Sequence, residues 1–129
     1  MRWTVCSNSC GTFRERRAGL VAGGCPLLNT AIDSDDGNPQ LRRKARQALD
    51  SWLDRLQSIV EEGQRKAEIH SDVDAAELAT LIVTTLEGSL MLSRLQRKEE
   101  PVNLACRHLE EYIETKVRAR KQKTGLART

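Results

Sequence analysis

Cys25, Asn29, Trp52, Glu87 and Met91 are the candidate ligand contacts of this sequence, and three of them could carry distinctive chemistry. Cys25 stands directly before Pro26, where a helix start is expected. Amide donors at a helix start stabilise a thiolate and lower its pKa, which would suit sensing of oxidants or electrophiles. The competing reading is a small thiol packed in a core, the usual place of a free cysteine. Glu87 sits inside the most apolar stretch of the chain. It could meet a ligand, bond across a seam between subunits, lie at a rim, or pair with Arg94 or Arg42. Trp52 falls on the apolar stripe of its segment, where it either lines a pocket or packs in the core.

Other chemistries find little support. There is no glycine-rich phosphate loop following a strand pattern and no Ser-His-Asp arrangement, so no enzyme activity is expected. His70 and His108 stand apart, which leaves acid–base catalysis little to work with. Cys6 and Cys10 are spaced as C-x3-C, but no second ligand pair accompanies them, so no metal site and no cofactor are expected. The four cysteines, at 6, 10, 25 and 106, do not form a disulfide framework.

The elements that would position these residues are helices. Residues 1–24 show no clear period and read as an irregular linker or remnant, with loop-like Cys6-Ser7-Asn8-Ser9-Cys10-Gly11 and a stop at Gly23-Gly24. A regulatory helical unit over residues 25–120 follows, then a basic tail over 121–129. Within the unit, residues 25–36 give a short helix with Pro26 at its first position and Leu27, Leu28, Ala31 and Ile32 on one face. Asn38 and Pro39 are a good N-cap and first residue for a long helix over 39–68. Its stripe runs Leu41, Ala45, Leu49, Trp52, Leu53, Leu56 and Val60, opposite a charged face.

Residues 74–97 differ, with Asp72 or Asp74 available as cap. Leu78, Leu81, Ile82, Val83, Leu86, Leu90, Leu92 and Leu95 go nearly all round the helix. A helix apolar on every side must be covered on every side, and one small domain cannot do that. One face should meet the core and another a second subunit. Gly88 and Ser89 are small enough for close approach there. A last helix over 101–120 carries Val102, Ala105, Cys106, Leu109, Tyr112, Ile113 and Val117 as its stripe.

The chain has 129 residues, enough for one core. Hydrophobic content of 39% and charged content of 30% suit a helical protein with solvated faces, and aromatics at 3% leave the core to aliphatic side chains. No signal peptide is read at the start. Residues 75–95 form the best membrane candidate, but Glu77, Glu87 and Arg94 favour a buried helix, so no membrane partner and a cytoplasmic location are expected. The net charge of +3 does not by itself imply nucleic acid. From residue 116 onward there are six basic residues and no acidic one, which reads as cations favouring a helix end or, alternatively, as a phosphate-contacting patch.

Taken in order, several pieces carry a family resemblance over residues 23–118. They are Gly24-Cys25-Pro26-Leu27-Leu28-Asn29-Thr30-Ala31, the Asn38-Pro39 helix, Glu61-Glu62-Gly63-Gln64 with Ile69-His70-Ser71-Asp72-Val73-Asp74, Thr85-Leu86-Glu87-Gly88-Ser89-Leu90-Met91-Leu92-Ser93-Arg94, and His108-Leu109-Glu110-Glu111-Tyr112-Ile113. The chain resembles the C-terminal regulatory domain of TetR-type bacterial transcription regulators. The resemblance implies an all-α ligand-binding bundle that dimerises through its last two long helices, with an unknown small-molecule effector. It also implies a helix-turn-helix domain upstream of this point, for which the 24 leading residues leave no room.

The expected function is therefore the ligand-sensing and dimerisation domain of such a regulator, without sequence-specific DNA binding of its own. The alternative is an interaction module that forms inactive heterodimers with an intact regulator. The expected dimer contacts are Val83, Leu86, Leu90, Leu109, Ile113 and Val117. On that reading Val83→Asp or Leu90→Asp yields a monomer that is aggregation-prone or poorly folded, while Glu61→Lys on the wet face changes little.

Overall fold

Pro26 opens the first helix among the described residues, α1 (Pro26–Asp33), and the Cys25 carbonyl accepts the Asn29 N–H at 3.0 Å, which places Cys25 at its N-cap position. The computed structural model describes residues 25–33 and 37–119. The expectations for residues 1–24 and for the basic tail at 121–129 lie outside the described residues. Among the described residues the chain is helical, with a single isolated bridge between Ile69 and Arg118 in place of any sheet.

Asn38 and Pro39 start the long helix α2 (Pro39–Arg65) as their types require. The Asn38 Oδ1 accepts the N–H groups of Gln40 and Leu41, each at 3.1 Å, and so satisfies two donors that have no partner within the helix. Its inner face contributes buried Ala45, Leu56, Val60 and Gly63. Near its exposed end Glu62 pairs with Arg65 and, at 3.0 Å, with Lys66. The hydrogen bond from Lys66, then the charge of Arg65, hold the Glu62 carboxyl below its ordinary value. That small contribution is present above the unfolded carboxylate's pKa and is lost as pH falls through the folded one.

The turn after α2 is closely tied. A Cβ at Gly63 would stand 2.7 Å from Ile69 Cδ1, so glycine lets Ile69 lie against the helix. The Gln64 side-chain amide donates to the carbonyls of His70 at 3.0 Å and Val73 at 2.8 Å. Asp74 then caps α3 (Ala75–Gln96), its Oδ1 accepting the Glu77 N–H at 2.9 Å. Leu78, Ala79, Ile82, Val83, Leu86, Ser89 and Ser93 form the buried face of α3. This helix is long and apolar enough to cross a membrane by length and composition, and its inner face packs on both neighbouring helices.

Arg97, in the left-handed region at φ 52, ends α3, and α4 (Glu100–Tyr112) turns back antiparallel after a short link. Pro101 is the second residue of α4, and Glu99 gives no side-chain cap. Ser93 supplies one from the neighbouring helix: its Oγ accepts the N–H of fully buried Val102 at 3.2 Å. Ser93→Ala should therefore strand a buried donor and cost about 1–2 kcal/mol, read as a lowered denaturant midpoint at unchanged slope.

The last helix is shorter than its apolar pattern. It widens into a π-helical turn, Ile113–Val117, and then becomes extended. The physical reason is pairing with the turn after α2: His70 N–H donates to Val117 O at 3.0 Å and Ala119 N–H to Glu68 O at 3.0 Å. The wide turn keeps Ile113 and Val117 buried while freeing these groups. The core is thus Leu56, Val60, Leu78, Ala79, Ile82, Val83, Leu86, Val102, Cys106, Leu109, Ile113 and Val117, with Leu49, Trp52 and Leu53 packed against it.

Candidate functional site

Once its inner face is covered by α2 and α4, α3 still presents apolar side chains outward. Leu81 is 41% exposed, Leu92 44% and Leu95 77%, and Met91 is exposed beside them. Leu81, Gly88, Leu92 and Leu95 recur at intervals of seven, four and three, which places them on one stripe of a helix. At the middle of that stripe, a Cβ on Gly88 would meet nothing within 4 Å. On α4, Leu104, His108 and Tyr112 form a second row at i, i+4 and i+8, with Leu104 and Tyr112 exposed.

The two rows meet at an open cleft of about 610 Å³, lined by both Leu81 and Tyr112. Its rim is acidic, with Asp72, Asp74 and Glu77 against one cation, Lys116, and with His70 at the edge. These carboxylates do not gather into a group that could hold a metal ion.

Five of the six residues expected at a subunit contact lie elsewhere. Val83, Leu86, Leu109, Ile113 and Val117 are 2–6% exposed and belong to the chain's own core. Their apolar contacts are filled within the chain by α2, α3 and α4. Leu90 is half-buried, and Ser89 points inward with its Oγ donating to Leu86 O at 2.8 Å. The large apolar residues left outward on these two helices are Leu81, Leu92, Leu95 and Leu104. One signal for them was present: Leu104 is a large apolar residue off the core stripe of its helix, and a second face is the simplest use for it.

The candidate ligand contacts are spread over three helices. Cys25 and Asn29 are half-buried at the start of α1. Trp52 is half-buried on α2 and packs against the core, in agreement with the core reading of that residue. Met91 is exposed on the outward side of α3. Glu87 is half-buried, and its Oε2 is shielded from solvent without a hydrogen-bond partner. It forms no ion pair with Arg94 or Arg42 among the described residues. A carboxylate oxygen so placed is costly unless something else satisfies it.

Residues 6–109 match the sequence pattern described as "Tetracyclin repressor-like, C-terminal domain". The chain belongs to the TetR family of transcriptional regulators. The TetR match begins at residue 6, ahead of the first family feature read from the sequence at residue 23. A TetR transcriptional regulator from Chloroflexus aurantiacus has the same fold at TM-score 0.83 and 41% identity, over 91% of this chain and 59% of that one. A TetR regulator of Cytophaga hutchinsonii matches at TM-score 0.79 and 26% identity, over 90% of this chain and 60% of its own. An HTH-type transcriptional regulator of Mycobacterium tuberculosis is 28% identical over 96 residues, 70% of this chain and 46% of the relative. The chain thus spans about half the length of the curated TetR relatives it matches and corresponds to their C-terminal domain. The TetR family is non-enzymatic, in keeping with the lack of a catalytic arrangement in the sequence.

Proposed function

We propose that this TetR-family domain forms a homodimer and senses a small-molecule effector. The observation that carries the dimer is the outward stripe of α3, Leu81, Leu92 and Leu95 around Gly88, contiguous with Leu104 and Tyr112 on α4. Exposed apolar area concentrated along two adjacent helices marks a surface that is covered in the working state. A two-fold pairing covers both copies with one surface. The described helices are all taken up by the regulatory fold, and reading an operator is not assigned to them.

Glu87 supports the effector reading. An N–H or O–H group on a bound organic molecule would satisfy its shielded Oε2, and the surrounding apolar helix would bind the rest. A thermal-shift screen of the full chain against organic amines and alcohols tests this. A compound held at a hundred times its Kd should stabilise the chain by about 2.7 kcal/mol through mass action. Glu87→Leu should lose most of that shift while keeping or raising the melting temperature of the free chain. A panel whose binding is the same in both chains would remove Glu87 from the site.

A further inference from the structure

We propose that the effector is a lipophilic organic ammonium ion bearing an N–H, and that Glu87 is the counter-charge that selects it over neutral molecules and quaternary cations. This rests on the effector reading above and names its chemical class. Glu87 is the only charged residue between Leu78 and Ser93. Its helix neighbours at i−4, i−3, i+3 and i+4 are Val83, Thr84, Leu90 and Met91, so no cation of α3 stands within a turn of it. Among the described residues neither carboxylate oxygen has a hydrogen bond or an ion pair, and Oε2 is closed to solvent.

Charge decides between the ligand classes. A neutral alcohol gives Oε2 one hydrogen bond and leaves the carboxylate's charge uncompensated beside apolar groups. A quaternary ammonium brings the charge but no N–H, so Oε2 stays unbonded. A protonated amine supplies both, and their attraction grows as the ligand excludes water. One carboxylate among apolar side chains is no cage for a metal ion, and no metal-ligating cluster stands among the described residues.

The position of Glu87 suits a ligand with an apolar body. Glu87 is nine residues from Leu78, which at about 100° per residue sets it on the opposite side of α3 from the cleft beside α4. Since α3 packs on α2 and α4, that flank is the one on the side of α2. Val83 is buried and Leu90 half-buried next to Glu87 on α3. Leu49, Trp52 and Leu53 are half-buried on α2 at the edge of the core. Trp52 is the one aromatic residue of α2, and an indole face attracts a cation.

Isothermal titration calorimetry of the full chain with matched arylalkyl probes tests this. Phenylethyl, phenylbutyl and naphthylmethyl skeletons are each offered as primary amine, trimethylammonium ion and alcohol, at neutral pH where the amines are protonated. For at least one skeleton the amine should bind about tenfold to a hundredfold more tightly than its alcohol, with the trimethylammonium ion between them. Glu87→Gln keeps the shape and removes the charge. It should abolish the amine's advantage while the alcohol's affinity changes less than about twofold and the free chain melts cooperatively. Equal affinity for amine and alcohol, a trimethylammonium ion bound as tightly as the amine, or an amine preference that survives Glu87→Gln would each overturn the proposal. So would the absence of binding by every amine at millimolar concentration. In that case a hit of another chemical class in the thermal-shift screen would leave the effector reading standing, and a screen without hits would remove both.

Discussion

Leu92→Asp should dissociate the dimer while leaving the helices intact. Leu92 is 44% exposed in the single chain, so a carboxylate there stays solvated in the monomer and costs the fold little. In the pair the two-fold introduces the charge twice. Each large apolar side chain contributes about 1.5–3 kcal/mol on burial, so the two lost contacts amount to roughly 3–6 kcal/mol before desolvation of the charges is added. That corresponds to a rise in dimer Kd of about two to four orders of magnitude. Light scattering after size exclusion should give a monomer mass, with a far-ultraviolet dichroism spectrum matching that of the unmodified chain. A dimer mass for Leu92→Asp would place the contact elsewhere.

Leu86→Asp should behave in the opposite way. Leu86 is 2% exposed and sits inside the core that α2, α3 and α4 share. The substitution removes a large packed side chain and buries a charge with no partner. Large-to-small core changes alone cost about 2–5 kcal/mol, and the uncompensated carboxylate adds to that. A domain with a total stability of about 5–15 kcal/mol loses most of it. The expected result is a chain without a cooperative thermal transition. Val83→Asp belongs with Leu86→Asp, because Val83 is 6% exposed: it unfolds the chain rather than freeing a folded monomer. A folded, soluble Leu86→Asp chain would mean that the inner face of α3 is not what holds the domain together.

The contrast between these two residues marks where the sequence was legible. The helices themselves were. Asn38-Pro39 and Asp74 are local capping signals, and the 3.6-residue period of α2 has one clear phase. The excess of apolar residues on α3 was legible too, since Leu at nearly every angle can be counted. Which of those leucines faces inward was not. A pattern apolar all round has no phase, so periodicity alone could not separate Leu86 from Leu92. The packing of α4 decides it, through the Ser93–Val102 hydrogen bond and the core that Leu86 shares with Leu109.

The end of α4 was read too long for a related reason. The stripe of Ile113 and Val117 fits an uninterrupted helix, and the widening depends on hydrogen bonds to Glu68 and His70, far away in sequence. The candidate ligand contacts were legible only as residue types. A carboxylate in an apolar helix draws attention in any sequence, but that the Glu87 Oε2 lacks a partner follows only from where the helices pack.

The central claim is that the inner face of α3 folds the chain and its outer face pairs it. Sedimentation equilibrium of the unmodified chain across a dilution series from about 100 to 1 µM tests this most directly, a range that a dimer of about −8 kcal/mol or tighter would survive. The predicted result is a mass twice the 14.5 kDa of one chain over most of that range. A mass of 14.5 kDa throughout would contradict it.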